Sequence, residues 1–198
     1  DANILRELLN EAVEVRDKPT VIRFGKGTAG TLVPALSRTE DGVDILKQSA
    51  AKDVLIMSVG SMATTALQVA ELLAAQGIGA TVIDPRWVVP VPKSVVSMSA
   101  EHRLVVTIED GIKVGGIGTR VRQDLREAQV DTALTEIGLP DEFIDHATRN
   151  QILEETGLTA QAIARDIVAQ VVGSRVPHAR SVDGSATSSD ATNPSTIS

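Results

Sequence analysis

The stretch 103–121 restricts the possible fold more than any other part of the chain. It begins with an apolar, β-branched run at 104–108, which is short enough to be a strand buried on both faces of a sheet. An acidic pair and a cluster of glycines follow, and apolar residues then recur with the helical period of about 3.6, at Val121, Leu125 and Ala128. A strand that leads through a glycine-rich loop into a helix is typical of open α/β sheets, which place their sites at this edge.

The glycines of this loop first suggest phosphate binding, but the sequence does not favour it. The dinucleotide fingerprint G-x-G-x-x-G would need a third glycine where Val121 stands. Glu109 and Asp110 precede the glycines and would repel a phosphate at the helix N-terminus. We therefore predict a role in close backbone packing or in a subunit contact for Gly115, Gly116 and Gly118.

The two acidic residues do not read as an acid/base pair, because neighbours in an extended chain point to opposite sides. We expect one of Glu109 and Asp110 to order the loop. The other is expected to cap the helix or to pair with a neighbour such as Arg120.

Composition and charge exclude several functional classes. The net charge of −7 argues against a general affinity for nucleic acid. The chain has no cysteine, which removes disulfides, thiolate catalysis and sulfur-ligated metals, and its three histidines lack metal-ligand spacing. No apolar run approaches the ~20 residues that span a bilayer, and no signal peptide is recognisable. We expect a soluble, cytoplasmic protein with no membrane and no nucleic-acid partner.

The periodicity predicts one α/β domain over 42–173, with a doubly wound, mainly parallel sheet. Aromatic residues make up only 2% of the chain, and a core of Val, Ile, Leu and Ala suits such a sheet covered by alanine-rich helices. Strands alternate with helices and are predicted at 43–46 (a weak edge strand), 54–59, 81–83, 103–108 and 132–137.

The segments outside this domain differ in character. Residues 1–30 hold one predicted helix and a predicted strand at 20–24, which cannot close a core alone, so we expect the chain to be a fragment of a longer protein. Residues 31–41 are predicted to be a linker. Residues 174–198 are rich in Ser, Thr, Asp and Gly and are predicted to be a disordered tail.

Several spaced motifs resemble the transketolase C-terminal domain. They are D-V-L-I-M-S-V-G-S at 53–61, V-I-D-P-R-W-V-V-P at 82–90, and T-I-E-D-G at 107–111 with its glycines. The run G-L-P-D-E-F-I-D-H at 138–146 is most similar to the 1-deoxy-D-xylulose-5-phosphate synthase family. I-R-F-G-K-G at 22–27 is similar to the R-Y-P-R-G segment that closes that family's pyrimidine-binding domain, so 1–30 would be the truncated end of this domain.

The resemblance implies a transferase that condenses pyruvate with glyceraldehyde 3-phosphate, with thiamine diphosphate and Mg2+ as cofactors. Its product feeds isoprenoid, thiamine and pyridoxal synthesis. The family's metal–diphosphate motif G-D-G…N does not occur in these residues, so no catalytic, cofactor-binding or metal-binding residue is predicted here. The implied partners are the N-terminal part of the same enzyme and a second copy, in a homodimer.

The resemblance also implies individual roles. Lys26 matches the basic residue that binds the substrate phosphate, and as a lysine it would act as a point charge; Arg23 matches the first basic residue and would orient the loop. Without the resemblance, both residues read as solvated surface groups. Trp87 is predicted to anchor an interface or the core, beside an Asp84–Arg86 ion pair. His146 precedes an alanine where the family has glycine, and it is predicted to be a hydrogen-bonded structural histidine.

Three functional hypotheses remain open at this stage. The chain could be a structural and dimerising piece of the synthase that is inactive alone. It could instead be a self-standing, flavodoxin-like module that binds a nucleotide or flavin at the strand ends. It could also be the C-terminal part of another thiamine enzyme, either transketolase or the β-subunit of a 2-oxoacid dehydrogenase.

Overall fold

The computed structural model describes residues 1–25 and 27–173. Its strands are, in chain order, β1 (Ser37–Arg38), β2 (Asp44–Lys47), β3 (Val54–Ser58), β4 (Ala80–Asp84), β5 (Leu104–Ile112) and β6 (Ala133–Leu139). Its helices are α1 (Ala2–Glu14), α2 (Ala63–Ala75), α3 (Lys93–Glu101), α4 (Ile117–Glu127), α5 (Arg149–Glu155) and α6 (Ala160–Gly173). Lys26 and the predicted tail at 174–198 lie outside the described residues.

The strands form one sheet in the order β1-β2-β4-β3-β5-β6. The pairs β4–β3, β3–β5 and β5–β6 are parallel, whereas β1 and β2 add an antiparallel edge. The central strand β3 is buried along its whole length, as its continuous apolar sequence predicts. The predicted doubly wound, mainly parallel α/β fold is confirmed.

Alternation along β3 divides the interior into two cores. Val54 and Ile56 point to the face covered by α2 and α6, where Leu73 and Ile167 are fully buried. Leu55 and Met57 point to the opposite face, which α3 and α4 cover. Helices on both faces shield the parallel sheet from water and direct the ends of its strands to one exposed edge.

The helix that follows β3 ends as its sequence predicts. A single 3-10 turn at Gly60–Met62 precedes α2, and Gly77 adopts a left-handed conformation with φ of 70° just beyond the helix. The N–H of Ile78 donates to the Leu73 carbonyl at 3.0 Å, and the Gly77 N–H donates to the Ala74 carbonyl at 2.9 Å. These two bonds form a Schellman cap, which satisfies carbonyls that the helix end would otherwise leave open.

Three strand predictions need correction. The strand predicted at 43–46 does not lie at the edge, because β1 pairs with β2 from inside the segment predicted to be a linker. Residues 20–24 are not a strand, since none of the described strands pairs with them. The strand predicted at 103–108 continues to Ile112, because it keeps pairing with β6, which itself extends through Gly138 to Leu139.

None of the helices in the described ranges is long and apolar enough to cross a membrane.

Helix α3 begins without a side-chain cap of its own and takes one from the loop before β2. The Ser94 N–H donates to Asp41 Oδ2 at 2.8 Å, and the Thr39 hydroxyl donates to Asp41 Oδ1 at 2.6 Å. Burial alone would raise the pKa of Asp41, but the hydrogen bonds from Thr39 and Ser94 outweigh it and lower the pKa to about 2. The ionised carboxylate therefore connects the antiparallel edge to the start of α3.

We predict that Asp41→Ala lowers the free energy of unfolding by about 1 kcal/mol at neutral pH, because the first turn of α3 loses its cap. The folded pKa lies below the unfolded value of about 3.9, so this stability is present above that value and is lost as the pH falls toward about 2. Urea unfolding at several pH values should show the two proteins converging in acid. Glu40→Ala, at the exposed neighbouring position, is the control. A deficit that does not change with pH would contradict the prediction.

Candidate functional site

The carboxyl end of β5 places Glu109 inside the protein, at the start of α4. Glu109 is 6% exposed, and its Oε1 accepts the N–H of Gly118, in the first turn of α4, at 3.1 Å. The partial positive charge of a helix N-terminus favours an anion, and here the carboxylate takes that position. Glu109 thus lies where a phosphate would have to bind at this helix end, and the repulsion predicted from the acidic pair would act there.

The glycines beside Glu109 serve close packing within the chain. A Cβ at Gly116 would lie 2.5 Å from Glu109 Oε1 and 2.5 Å from the Ile112 carbonyl oxygen. A Cβ at Gly118 would overlap the Thr107 hydroxyl and approach Glu136 Cγ to 2.7 Å. Gly115 instead allows the turn, with φ of 73° and no neighbour near its Cβ position. A further role of these glycines in a subunit contact remains a prediction.

We predict that Glu109→Ala destabilises the protein by about 2 kcal/mol, because it leaves the buried Gly118 N–H without an acceptor. Glu109→Gln should cost less, since its amide oxygen can still accept that hydrogen bond. Urea unfolding of both variants is the measurement, and Glu127→Ala, at an exposed position of the same helix, is the control. Equal losses for the alanine and glutamine variants would show that the hydrogen bond is not what matters.

Asp110 points away from Glu109 and pairs with a residue from the far end of the domain. Arg149 donates to Asp110 Oδ2 from Nη2 at 2.6 Å and from Nε at 3.1 Å, and its Nη2 also lies 3.2 Å from the Ser61 hydroxyl oxygen. The predicted partner of the acidic pair, Arg120, instead pairs with Asp124 one turn along α4. Of the two alternatives predicted for the second acidic residue, the structure shows the helix cap, which Glu109 supplies through the Gly118 N–H, and not the pairing with Arg120.

Arg23 also contacts Asp110, through the backbone. Its Nη1 donates to the Asp110 carbonyl at 2.9 Å, and a Cβ at Gly111 would lie 3.6 Å from the same nitrogen. The exposed segment around Arg23 is thereby held against the end of β5. The structure therefore brings Arg23, Asp110 and Arg149 together, whereas Lys26 is outside the described residues.

The sequence interpretation missed Arg149 and Ser61 because no local motif connects either of them to Asp110. A weaker signal was present, since both residues follow a strand end or begin a helix on the carboxyl side of the sheet. Arg149 is the first residue of α5, and Ser61 lies in the turn directly after β3. In an open α/β sheet these positions converge on one edge.

Trp87 and Arg86 form a second cluster, against helix α1. The Arg86 side chain is 4% exposed, and its guanidinium pairs with Glu11 and also lies 3.4 Å from Glu7. The Trp87 Nε1–H donates to Glu11 Oε2 at 2.7 Å. Trp87 therefore contacts helix α1 of its own chain, and the anchoring role predicted for it would connect α1 to the sheet. A role in a subunit interface remains a prediction.

The charges of this second cluster depend on one another. Burial alone would raise the pKa of Glu11, but the hydrogen bonds from Arg86 and Trp87 lower it below its usual value. Burial raises the pKa of Asp84, which accepts the backbone N–H of Arg86 at 2.8 Å. The predicted Asp84–Arg86 side-chain pair is thus replaced by this backbone bond, because the guanidinium turns toward α1.

We predict that Glu11→Ala loosens α1 without opening the sheet, because Glu11 accepts hydrogen bonds from both Arg86 and Trp87. Hydrogen exchange should become at least about tenfold faster in α1 and stay unchanged in β3. Glu14→Ala, one turn further along α1 and exposed, is the matched control. Unchanged exchange in α1, or equal acceleration in β3, would contradict the prediction.

His146 lies exposed in the segment between β6 and α5. The segment runs over the surface, and the role of His146 as a hydrogen-bonded structural histidine stays a prediction. A role of His146 in an interface remains a prediction. The described residues contain no group of three or more His, Cys, Asp or Glu side chains that could hold a metal ion.

Comparison with known proteins adds three findings. The family described as transketolase, C-terminal domain, matches residues 43–163. A curated relative named 1-deoxy-D-xylulose-5-phosphate synthase, from Clavibacter sepedonicus, is 69% identical over 91% of this chain and 28% of its own length. A relative of the same name from Leifsonia xyli subsp. xyli is 67% identical over 91% of this chain and 28% of its own length.

A solved structure supports the same relationship. It is described as a split gene transketolase in an inactive beta4 tetramer, is 30% identical, and superposes with a TM-score of 0.61 over 69% of this chain and 44% of that chain. The chain thus spans 28% of the length of the two curated relatives. The match over 43–163 confirms the resemblance found in the sequence motifs: the chain belongs to the transketolase C-terminal domain family.

Proposed function

We propose that this chain is the C-terminal part of a thiamine-diphosphate-dependent 1-deoxy-D-xylulose-5-phosphate synthase. This enzyme would condense pyruvate with glyceraldehyde 3-phosphate, release carbon dioxide and supply isoprenoid and thiamine synthesis. The observation that carries the proposal is the 69% identity over 91% of the chain to a relative with that name. Transketolase itself is less favoured, because the solved split gene transketolase is only 30% identical.

The described residues do not fit the cofactor. Thiamine diphosphate with Mg2+ needs a metal-ligand set and a place for a diphosphate, and no cluster of three candidate ligands occurs in 1–25 or 27–173. The helix N-terminus behind the glycines accepts Glu109 instead of a phosphate. The same occupation argues against a flavodoxin-like nucleotide site. On this proposal the cofactor is bound by the N-terminal part of the same enzyme.

The contribution of this chain to the substrate site would come from the segment 22–27. Arg23 gives one N–H to the Asp110 carbonyl, and no carboxylate in the described part of the chain forms a salt bridge with it. Among the described residues the guanidinium gives a hydrogen bond from Nη1, and its other N–H donors could bind a phosphate, which a guanidinium can hold through two parallel hydrogen bonds. Lys26 would add a second positive charge.

The surface also favours partners. Helix α1 buries only Ala12 fully, and it leaves Leu9 and Val13 exposed. Further large apolar side chains are exposed around the substrate segment and the carboxyl edge of the sheet, namely Val21, Phe24, Ile112, Val114 and Phe143. Exposed apolar groups at this density are typical of interaction surfaces. We assign them to the N-terminal part of the enzyme and to a second copy in a homodimer.

We predict that the chain alone forms no 1-deoxy-D-xylulose 5-phosphate. We also predict that it restores activity when it replaces the matching 28% of the Clavibacter sepedonicus relative. Product formation from pyruvate and glyceraldehyde 3-phosphate is the measurement. Turnover by the chain alone would contradict the assigned structural role. A folded chimera without turnover would contradict the proposed reaction.

Within this chimera, Arg23→Ala should raise the KM for glyceraldehyde 3-phosphate about tenfold or more, because a charge-assisted hydrogen bond to the phosphate is lost. The matched control is Arg126→Ala, which removes an exposed arginine from an ion pair on α4. The predicted phosphate contact is refuted if both variants keep the KM of the parent chimera.

A further inference from the structure

Asp110 holds two guanidinium groups in different ways. Its carboxylate takes both donors of Arg149, at 2.6 Å and 3.1 Å, whereas its backbone carbonyl takes Arg23 at 2.9 Å. Both arginines therefore contact Asp110, but only Arg149 contacts its negatively charged carboxylate. Arg149 neutralises the carboxylate, and Arg23 is held in place without being neutralised.

It matters that Arg149 binds the carboxylate and Arg23 the carbonyl, because both groups belong to the same residue. A carboxylate released from Arg149 would have the Arg23 guanidinium bound to the backbone carbonyl of the same residue. Pairing there would cancel the charge of Arg23 and place a negative group beside any incoming phosphate. The Glu109 carboxylate is also near, since Glu109 Oε2 lies 3.3 Å and Arg23 Nη1 3.6 Å from the Cβ position at Gly111. Loss of the Arg149 guanidinium would therefore make the surroundings of Arg23 more negative by one further charge.

The surroundings fix this arrangement from three sides. Thr148 and Gln151 form a capping box that sets the start of α5, so Arg149 leaves the helix at a defined point. The Ser61 hydroxyl accepts from Arg149 Nη2 at 3.2 Å and steadies it from the end of β3. The Arg23 guanidinium lies beside Gly111, with Nη1 3.6 Å from its Cβ position, and so rests against the backbone of β5.

We propose that Arg149 and Asp110 are positioning residues for the substrate phosphate. Asp110 orients Arg23 through its carbonyl, and Arg149 keeps the Asp110 carboxylate away from Arg23. The inference rests on the proposed function, in which Arg23 meets the phosphate of the acceptor aldehyde. On this inference the charges of the C-terminal domain contribute to substrate affinity, in addition to the packing role of the domain.

The test uses the chimeric enzyme and compares two acceptors, glyceraldehyde 3-phosphate and unphosphorylated glyceraldehyde. Arg149→Ala should raise the KM for the phosphorylated acceptor about fivefold, with little change in kcat, because the freed carboxylate competes for Arg23. Asp110→Asn added to Arg149→Ala should return the KM to within about twofold of the parent. The backbone carbonyl that binds Arg23 is retained, and the neutral side-chain amide cannot compete with the phosphate as an anion. Arg149→Lys should keep most of the affinity, and the KM for unphosphorylated glyceraldehyde should not change.

The double variant separates positioning from mere stability. If Arg149→Ala acted by loosening α5, the second substitution would not restore affinity, so a raised KM without rescue overturns the proposal. An unchanged KM in Arg149→Ala overturns it too, as does an equal rise for both acceptors. Thermal unfolding of each variant verifies that it is folded.

If Arg23→Ala leaves the KM unchanged, the proposed phosphate contact is refuted, and this inference with it. If Arg23→Ala raises the KM but the Arg149 series has no effect, only this inference fails.

Discussion

The pairing of β5 with β6 beyond Ile108 determines where the residues of the candidate site lie. Ile108 faces Ile137 and Ile112 faces Leu139, so β5 advances by more residues than its partner and bulges between these points. A bulge re-aims the side chains that it contains. Glu109 and Asp110 lie in this bulge. Glu109 points inward to the start of α4, and Asp110 stays at the surface, where Arg23 and Arg149 reach it.

The two carboxylates of the bulge therefore have opposite electrostatic tasks. Glu109 is buried and satisfies a helix N-terminus, which removes a general anion-binding position from the domain. Asp110 is partly exposed and organises two cations at the edge of the sheet. The same short segment thus closes one potential phosphate site, and in the proposed function it prepares another whose cation comes from a different segment.

Much of this architecture follows from the sequence because it depends on local pattern. The buried run of β3, the C-terminal glycine of α2 and the alternation of strands and helices all reflect burial or backbone geometry within a few residues. The opposite directions of Glu109 and Asp110 follow from the extended chain in the same way. The interpretation of the loop glycines as packing residues agrees with Gly116 and Gly118, whose Cβ positions are occupied by neighbouring atoms.

The partners of the charged groups could not be predicted, since they come from remote segments. Arg149 meets Asp110 across 39 residues, and Glu11 meets Arg86 across 75. The extension of β5 to Ile112 could not be predicted from the sequence either, because glycine and acidic residues disfavour strands. Pairing with β6 overrides that preference. The predicted strand at 20–24 shows the reverse case, in which a favourable apolar pattern finds no strand to pair with.

Several polar contacts hold the N-terminal segment to the domain. Helix α1 is fixed by Glu7 and Glu11 on Arg86 and by Asp1, whose carboxylate accepts the Val33 N–H at 2.9 Å, while Leu9 and Val13 stay exposed. Arg23 adds one bond to a carbonyl. Such contacts specify position but contribute little net stability compared with apolar burial. The domain therefore defines where the segment lies, and in the proposed function further energy to hold it there comes from apolar surface that the N-terminal part of the enzyme covers.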